Sequence, residues 1–210
     1  DMLMGRDTVT FAEVLGQQGY ATSWFGKNHN VPDWQSSQSG PFELWPTKLG
    51  FDYFYGFICG DTNQWRPNLF EGTKPIRPYI GNPGYNLDMD LADQAINWIR
   101  LQHAMAPTKP LVVYYVPGAT HAPHHPIEYY AHKYAGQFEM GWNEARNLIF
   151  ENQKRMGIIP QDTLLTQTPS SIPAWESYPE DARKVFSRMM EIYAGYLEQT
   201  DANVGRVIDA

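Results

Sequence analysis

The sequence predicts an α/β fold: a partial parallel sheet flanked by helices, with a long irregular insert rich in aromatic residues. Three observations carry this expectation. A helix signature over 8–19 (TVTFAEVLGQQG) runs straight into an apolar strand signature over 20–26. A second helical pattern spans about 88–106. It is followed by KPLVVYYVPG (109–118), apolar on both faces as in the middle of a parallel sheet. Helices alternating with strands in this way are the rhythm of an α/β layer structure.

Each element has a local reason. Thr10 and Glu13 form a T-x-x-E capping box. Phe11, Val14 and Leu15 make an apolar stripe behind it, and Gly19 suits the position just past a helix end. In the second helix Leu91, Ala95, Trp98 and Ile99 fall on one face, and Asp88 or Asp90 is placed to cap it. A helix of this length between two strands makes a crossover connection. Helical patterns follow at about 126–135, about 141–157 and from Pro179 to the end. The last repeats Val185, Met189, Ile192, Tyr196, Val204 and Ile208, with an irregularity expected at Gly195. Between the first strand and the second helix, residues 28–87 show many Gly, Pro and aromatic residues and no sustained period. A loop of that length in a compact chain is functional or disordered, and its aromatic content speaks against disorder. It reads as a packed insert walling a pocket, and its Trp34, Trp45, Trp65, Tyr53 and Tyr55 fit an aryl or sugar substrate and a plain core equally well. Pro160–Pro179 reads as a polar connection inside one domain.

Composition narrows the function classes. With 210 residues, 42% of them hydrophobic, the chain can bury a sizeable core, as one domain or a large piece of one. The net charge is −7 and Lys and Arg are scattered, so no nucleic-acid partner is expected. No apolar run is long enough to span a bilayer, and no membrane partner is expected. The opening Asp1-Met2-Leu3-Met4-Gly5 shows no signal segment and reads as if cut from something longer. The single cysteine, Cys59, excludes an intrachain disulfide and a cysteine zinc site, and reads as a small buried hydrophobe.

Two strand ends carry the chemistry. Lys27 and His29 (FGKNHN, 25–30) follow one strand, and His121, His124 and His125 (GATHAPHHP, 118–126) follow the other. In an open parallel sheet ligands bind at the carboxyl ends of the strands. A lysine ammonium suits an oxyanion, and imidazole can donate, accept or carry a proton near neutrality. Together they could stabilise charge on a transferred sulfuryl or phosphoryl group. Taken singly, a lysine after a strand is more often solvated and a histidine more often structural. The HAPHH imidazoles could also bind zinc, but Pro123 stiffens the loop and no carboxylate stands at a ligand spacing. His103 and His132 fall among polar neighbours and read as surface residues.

These stretches resemble the sulfatases of the alkaline phosphatase superfamily. TVTFAEVLGQQGYATSWFGKNHN resembles the sulfatase helix T-x-A-E-x-L-x-x-x-G-Y and the strand ending in G-K-x-H. LGFDYFYGF resembles the G-F-D-x-F-x-G stretch. KPLVVYYVPGATHAPHHP resembles the strand K-P-F-F-x-Y and its T-H-x-P loop, and YAGYLEQTDANVGRVIDA resembles the long sulfatase helix. The four occur in family order over nearly the whole chain, closest to the bacterial arylsulfatase type.

The resemblance implies an alkaline-phosphatase-like fold and a sulfuric ester hydrolase acting on a small sulfate ester. It gives Lys27 the contact to sulfate and to the catalytic side chain. It gives His29 the role of holding that side chain and accepting its proton, and His121 the contact to the ester and its leaving group. His124 follows as a pocket residue. Asn28 stands where the family commonly has tryptophan, which implies altered packing with the chemistry kept. The resemblance also implies a formylglycine made within C/S-x-P-x-R and a Ca²⁺ ion held by acidic residues. Neither that motif nor the paired aspartates of the metal site occurs in these 210 residues. The chain is therefore expected to be a central piece of a sulfatase domain, inactive alone, from a periplasmic or secreted bacterial protein. Oligomeric state is silent. A phosphodiesterase or phosphonate monoester hydrolase of the same superfamily, a binding module for sulfate esters, and a plain α/β domain are the alternatives.

Overall fold

The computed structural model describes residues 4, 5 and 7–210; Asp1-Met2-Leu3 of the opening stretch lies outside the described residues. The chain divides into two compact units, one formed by residues 1–127 and 196–210 and the other by residues 128–195.

The first unit holds a mixed five-stranded sheet. Its strands are β1 (Ala21–Asn28), β2 (Tyr53–Ile58), β3 (Leu69–Glu71), β4 (Lys74–Ile76) and β5 (Leu111–Val116), in the order β4-β3-β2-β1-β5. β1 pairs in parallel with both β2 and β5, and β3 and β4 continue the sheet antiparallel. Two helices belong to this layer, α1 (Phe11–Gln17) and α2 (Leu87–Met105). The sheet buries two faces. On one, Phe25, Tyr55, Phe57 and Leu69 pack with Leu87, Leu91, Ala95 and Trp98 of α2. On the other, Trp24, Phe54, Ile58 and Phe70 pack with Ala12 of α1 and with Val31, Trp45 and Phe51 of the insert. The alternation Trp24/Phe25 and Phe54/Tyr55 is the two-residue period of a strand buried on both sides. Each fully buried aromatic or leucine contributes roughly 1.5–3 kcal/mol of apolar burial.

Local signals act as the sequence predicts in α1. Thr10 and Glu13 make both hydrogen bonds of the capping box, and Gly19 follows the helix end with φ +86°. In α2 the predicted face is the buried one, but the cap differs. The N-cap is Asn86; Asp88 and Asp90 sit in the first turn. Asp90 instead accepts from the hydroxyls of Tyr55 (2.6 Å) and Tyr85 (2.8 Å), tying the insert to α2.

Two expectations are corrected here. Residues 28–87 are not irregular throughout, because Tyr53–Ile58 is a central strand paired along β1. Its register is fixed by the GFD motif: Asp52 accepts from Thr22 N–H (3.1 Å) and its own N–H donates to Thr22 Oγ1 (3.0 Å). β5, conversely, pairs only with β1 among the described residues, and none of its residues is fully buried.

The second unit contains α3 (Glu128–Lys133), α4 (Gly141–Arg155) and most of α5 (Glu180–Ile208), whose last turns belong to the first unit. Trp142, Trp175, Tyr178 and Phe186 form its aromatic centre, with Trp142 and Trp175 ring centroids 4.8 Å apart. The polar stretch 160–179 lies within this unit. α5 runs unbroken through Gly195. The glycine serves close approach: a Cβ there would lie 2.0 Å from the Tyr130 carbonyl oxygen.

Candidate active site

The sheet register brings the two strand ends together. Gly26 pairs with Gly56 of β2 and with Val116 of β5, so three adjacent parallel strands release their chains at one edge. β1 gives Lys27, Asn28 and His29 there, β2 gives Cys59 and the turn to Gln64, and β5 gives Pro117 and the histidine loop. Gly26 makes this junction possible. It has φ +111°, and a Cβ on it would lie 1.9 Å from the Val116 carbonyl oxygen. A Cβ on Gly56 would likewise lie 1.9 Å from Gly26 O.

Lys27 is half-buried at the end of β1, and its carbonyl accepts from the indole N–H of buried Trp24 (3.1 Å). This fixes the backbone from which the ammonium extends. Among the described residues no carboxylate forms an ion pair with it. Asn28 is fully buried, and its Oδ1 accepts from Asn30 N–H (2.9 Å), turning the chain out of the strand. A packing role thus replaces the bulk that the sulfatase resemblance leads one to expect at this position. His29 is exposed and lies over the turn after β2: a Cβ on Gly60 would meet its ring at 2.8 Å. Cys59, expected buried, is exposed, and its thiol donates to Asp61 O (2.6 Å). Partial burial pushes that thiol up, offset in part by this hydrogen bond and by the Lys27 charge.

On the β5 side, His121 is exposed and its Nδ1 lies 2.7 Å from Ala122 O. A ring nitrogen facing a carbonyl must carry the proton, so neutral His121 presents a lone pair at Nε2. His124 is half-buried; its Nε2 faces Thr120 O (3.2 Å) and its ring lies 6.2 Å from that of Tyr196. The structure therefore places Lys27, His29, His121 and His124 at one sheet edge. His103 and His132, read as surface residues, are both exposed.

The sequence grouped His125 with the strand-end histidines and Trp65 with the insert aromatics, and assigned nothing to Gln64. His125 Nδ1 accepts from Gln64 N–H (3.5 Å), and Trp65 stacks on the imidazole, 6.2 Å between centroids at 20°. Burial, reinforced by His124, holds His125 below the usual histidine range, so it is neutral near pH 7 with its proton on Nε2. A polar network anchors the loop behind these rings. Asn86 donates to His125 O (3.0 Å), and Gln199 accepts from Ile127 N–H (2.7 Å). Gln199 also donates to Asn86 Oδ1 (2.9 Å) and to Asp88 Oδ2 (3.0 Å), where Asn203 donates too (2.8 Å). Asn86, Asp88, Gln199 and Asn203 are all at least 96% buried. Single side chains scattered over three elements leave no periodic trace, which is why the pattern was invisible beforehand.

No group of three or more His, Cys, Asp or Glu side chains that could hold a metal ion lies among the described residues. The residues described here do not fit a calcium ion.

The family described as Sulfatase matches residues 4–210. The chain is 26% identical to an uncharacterized sulfatase of Schizosaccharomyces pombe over 94% of its length, and 24% identical to an arylsulfatase of Klebsiella aerogenes over 95%. It spans 36% and 42% of those proteins. Two solved structures share the fold. One, from work on glycosaminoglycan metabolism in Bacteroides thetaiotaomicron, covers 99% of this chain and 39% of its own at TM-score 0.62 and 15% identity. The other, a protein in complex with its substrate D-glucosamine-2-N,6-O-disulfate, covers 99% of this chain and 47% of its own at TM-score 0.57 and 18% identity.

Proposed function

This chain belongs to the sulfatase family, and on that premise we propose that the polypeptide carrying it hydrolyses small sulfate esters, with Lys27, His29 and His121 acting at the carboxyl edge of the sheet. The observation that carries the reading is the register of β1 between β2 and β5. It puts a lysine with no ion-pair partner among the described residues beside a loop whose leading histidine presents its Nε2.

The chemistry follows from the groups. The Lys27 ammonium offers three donors to sulfate oxygens and offsets the global negative charge, which otherwise repels an anion. His121 is held by its Nδ1–H bond, which turns Nε2 toward the ester oxygen; in the imidazolium form, protonated at both nitrogens, Nε2–H would assist the leaving group. His29 is the proton acceptor nearest to Lys27 in the chain, and Gly60 leaves room for its ring. His124 supports the loop and lines the pocket. Formylglycine and Ca²⁺ belong to this reading as the family's nucleophile and charge-stabilising ion. They would be supplied outside the residues described. A sulfated sugar is the favoured substrate class, because a protein of this fold was solved with one. Location in the periplasm or outside the cell is part of the same reading; no helix among the described residues is long and apolar enough to cross a membrane.

The test is hydrolysis of 4-nitrophenyl sulfate by the intact polypeptide. Lys27→Ala and His121→Ala should each lower kcat/KM by at least about 100-fold, as for loss of an electrostatic or acid–base group. Activity of both variants within threefold of the parent would overturn the assignment. The 210 residues alone should give no turnover, since they contain no C/S-x-P-x-R; turnover by them that Lys27→Ala abolishes would overturn that expectation while leaving Lys27 in its role.

A further inference from the structure

The insert is crowded with aromatic side chains, and the structure sorts them. Trp45 and Tyr55 are buried in the two cores (0% and 3% exposed), and Tyr53 hydrogen-bonds Glu71. Two tryptophans stay open, Trp34 at 70% and Trp65 at 37% exposure. They differ in how they are held. Trp34 sits on a short 3-10 turn. Trp65 is fixed from several sides. Its own N–H and that of Arg66 both donate to Asn63 Oδ1 (2.8 and 2.9 Å). The preceding residue, Gln64, is bonded through N–H to His125 and through its carbonyl to Leu87 N–H (2.8 Å). One face of the indole lies along His125.

We infer that Trp65, backed by His125, is a specificity-determining platform that holds the ring of the sulfate ester, a pyranose or an aryl group, while Lys27 holds its sulfate. This rests on the sulfate-ester reading above. The placement supports it. The Trp65 turn leaves the sheet beside Lys27, whose register partner is Phe57, and abuts the histidine loop, since a Cβ on Gly118 would lie 3.3 Å from Gln64 Nε2. The chemistry supports it as well. A rigid, half-open indole offers apolar area at low entropic cost and suits the C–H face of a sugar or an aryl π-face. His125 is occupied at Nδ1, which leaves its Nε2–H as a directional donor for a ring hydroxyl. Being neutral, it does not compete with Lys27 for the anion. Gln64 Oε1 is a buried acceptor without a donor among the described residues, in a side chain 2% exposed. A hydroxylated ligand could supply that donor.

Calorimetric titration of the intact polypeptide with glucosamine 6-sulfate, methyl sulfate and inorganic sulfate decides the matter, because binding needs no turnover. The parent should bind the sugar ester more tightly than methyl sulfate. Trp65→Ala should weaken the sugar ester about tenfold while leaving inorganic sulfate within twofold, and Trp65→Phe should recover most of the loss. Lys27→Ala should weaken all three ligands. If Lys27→Ala leaves inorganic sulfate unchanged while Trp65→Ala still costs tenfold on the sugar ester, the anion assignment falls and the platform stands. Equal affinity of the parent for sugar and methyl esters, no binding of the sugar ester, or equal losses on all three ligands in Trp65→Ala overturns the platform.

Discussion

Gln199→Ala probes how the histidine loop is held. The side chain makes three hydrogen bonds, to Ile127 N–H, Asn86 Oδ1 and Asp88 Oδ2, from a site 1% exposed. Truncation leaves the Ile127 N–H without its acceptor and Asn86 Oδ1 without its donor, at about 1–3 kcal/mol each. Asp88 Oδ2 keeps Asn203 but loses a donor to a buried carboxylate. Water entering the vacated space recovers part of this. The net loss should be about 3–5 kcal/mol, a large share of a typical domain's 5–15 kcal/mol. Urea unfolding followed by tryptophan fluorescence, with the denaturant slope unchanged, measures it. Gln199→Glu supplies a second arm. It keeps the acceptor for Ile127 but sets a carboxylate beside Asp88, so it should be worse at pH 7 than at pH 5. A loss below 1 kcal/mol for Gln199→Ala, or a pH-independent Gln199→Glu, would refute the idea that this network holds the loop.

The other predictions are shorter. Burial raises the Asp88 carboxyl above its ordinary range despite the amide donors of Gln199 and Asn203. A group raised on folding stabilises fully below its unfolded value and loses that contribution as pH rises through the folded one. Asp88→Asn should remove this decline above about pH 4 and be neutral or stabilising by about 1–2 kcal/mol at pH 7. Its amide nitrogen can take the place of Oδ1, which has no donor among the described residues. Thermal melts from pH 4 to 8 check this, and destabilisation beyond 2 kcal/mol at pH 7 contradicts it. Gly26→Ala should be among the most damaging substitutions, since its Cβ would strike the β5 backbone at 1.9 Å. Failure to accumulate as soluble protein is expected, and a variant melting within a few degrees of the parent contradicts the close approach.

Much of the fold was legible because it is written in short-range signals. The Thr10–Glu13 box, the α2 stripe and the apolar runs at 20–26 and 109–118 are each local, and each found its element. β2 was missed for a physical reason. Gly56 interrupts Tyr-Phe-Tyr-Gly-Phe-Ile as a loop residue would, yet here it lets two backbones approach, a cause that exists only across strands. The same holds for Asp88, which resembles a helix cap in sequence but in space serves Gln199 and Asn203, more than 110 residues away in the chain. Of the candidate site, Lys27, His29 and the histidine loop could be found because each follows a strand. Trp65 stood among the insert aromatics and His125 among the loop histidines, but neither could be singled out, because exposure and stacking, which set Trp65 apart from Trp45 and Tyr55, have no sequence period within an insert.

Cys59 gives the edge a chemical address. As the chain's one thiol, exposed at the end of β2, it offers a single labelling point beside Lys27 without engineering. Its raised pKa and its bond to Asp61 keep it mostly protonated at neutral pH, so adduct formation should be slow and should quicken with alkalinity.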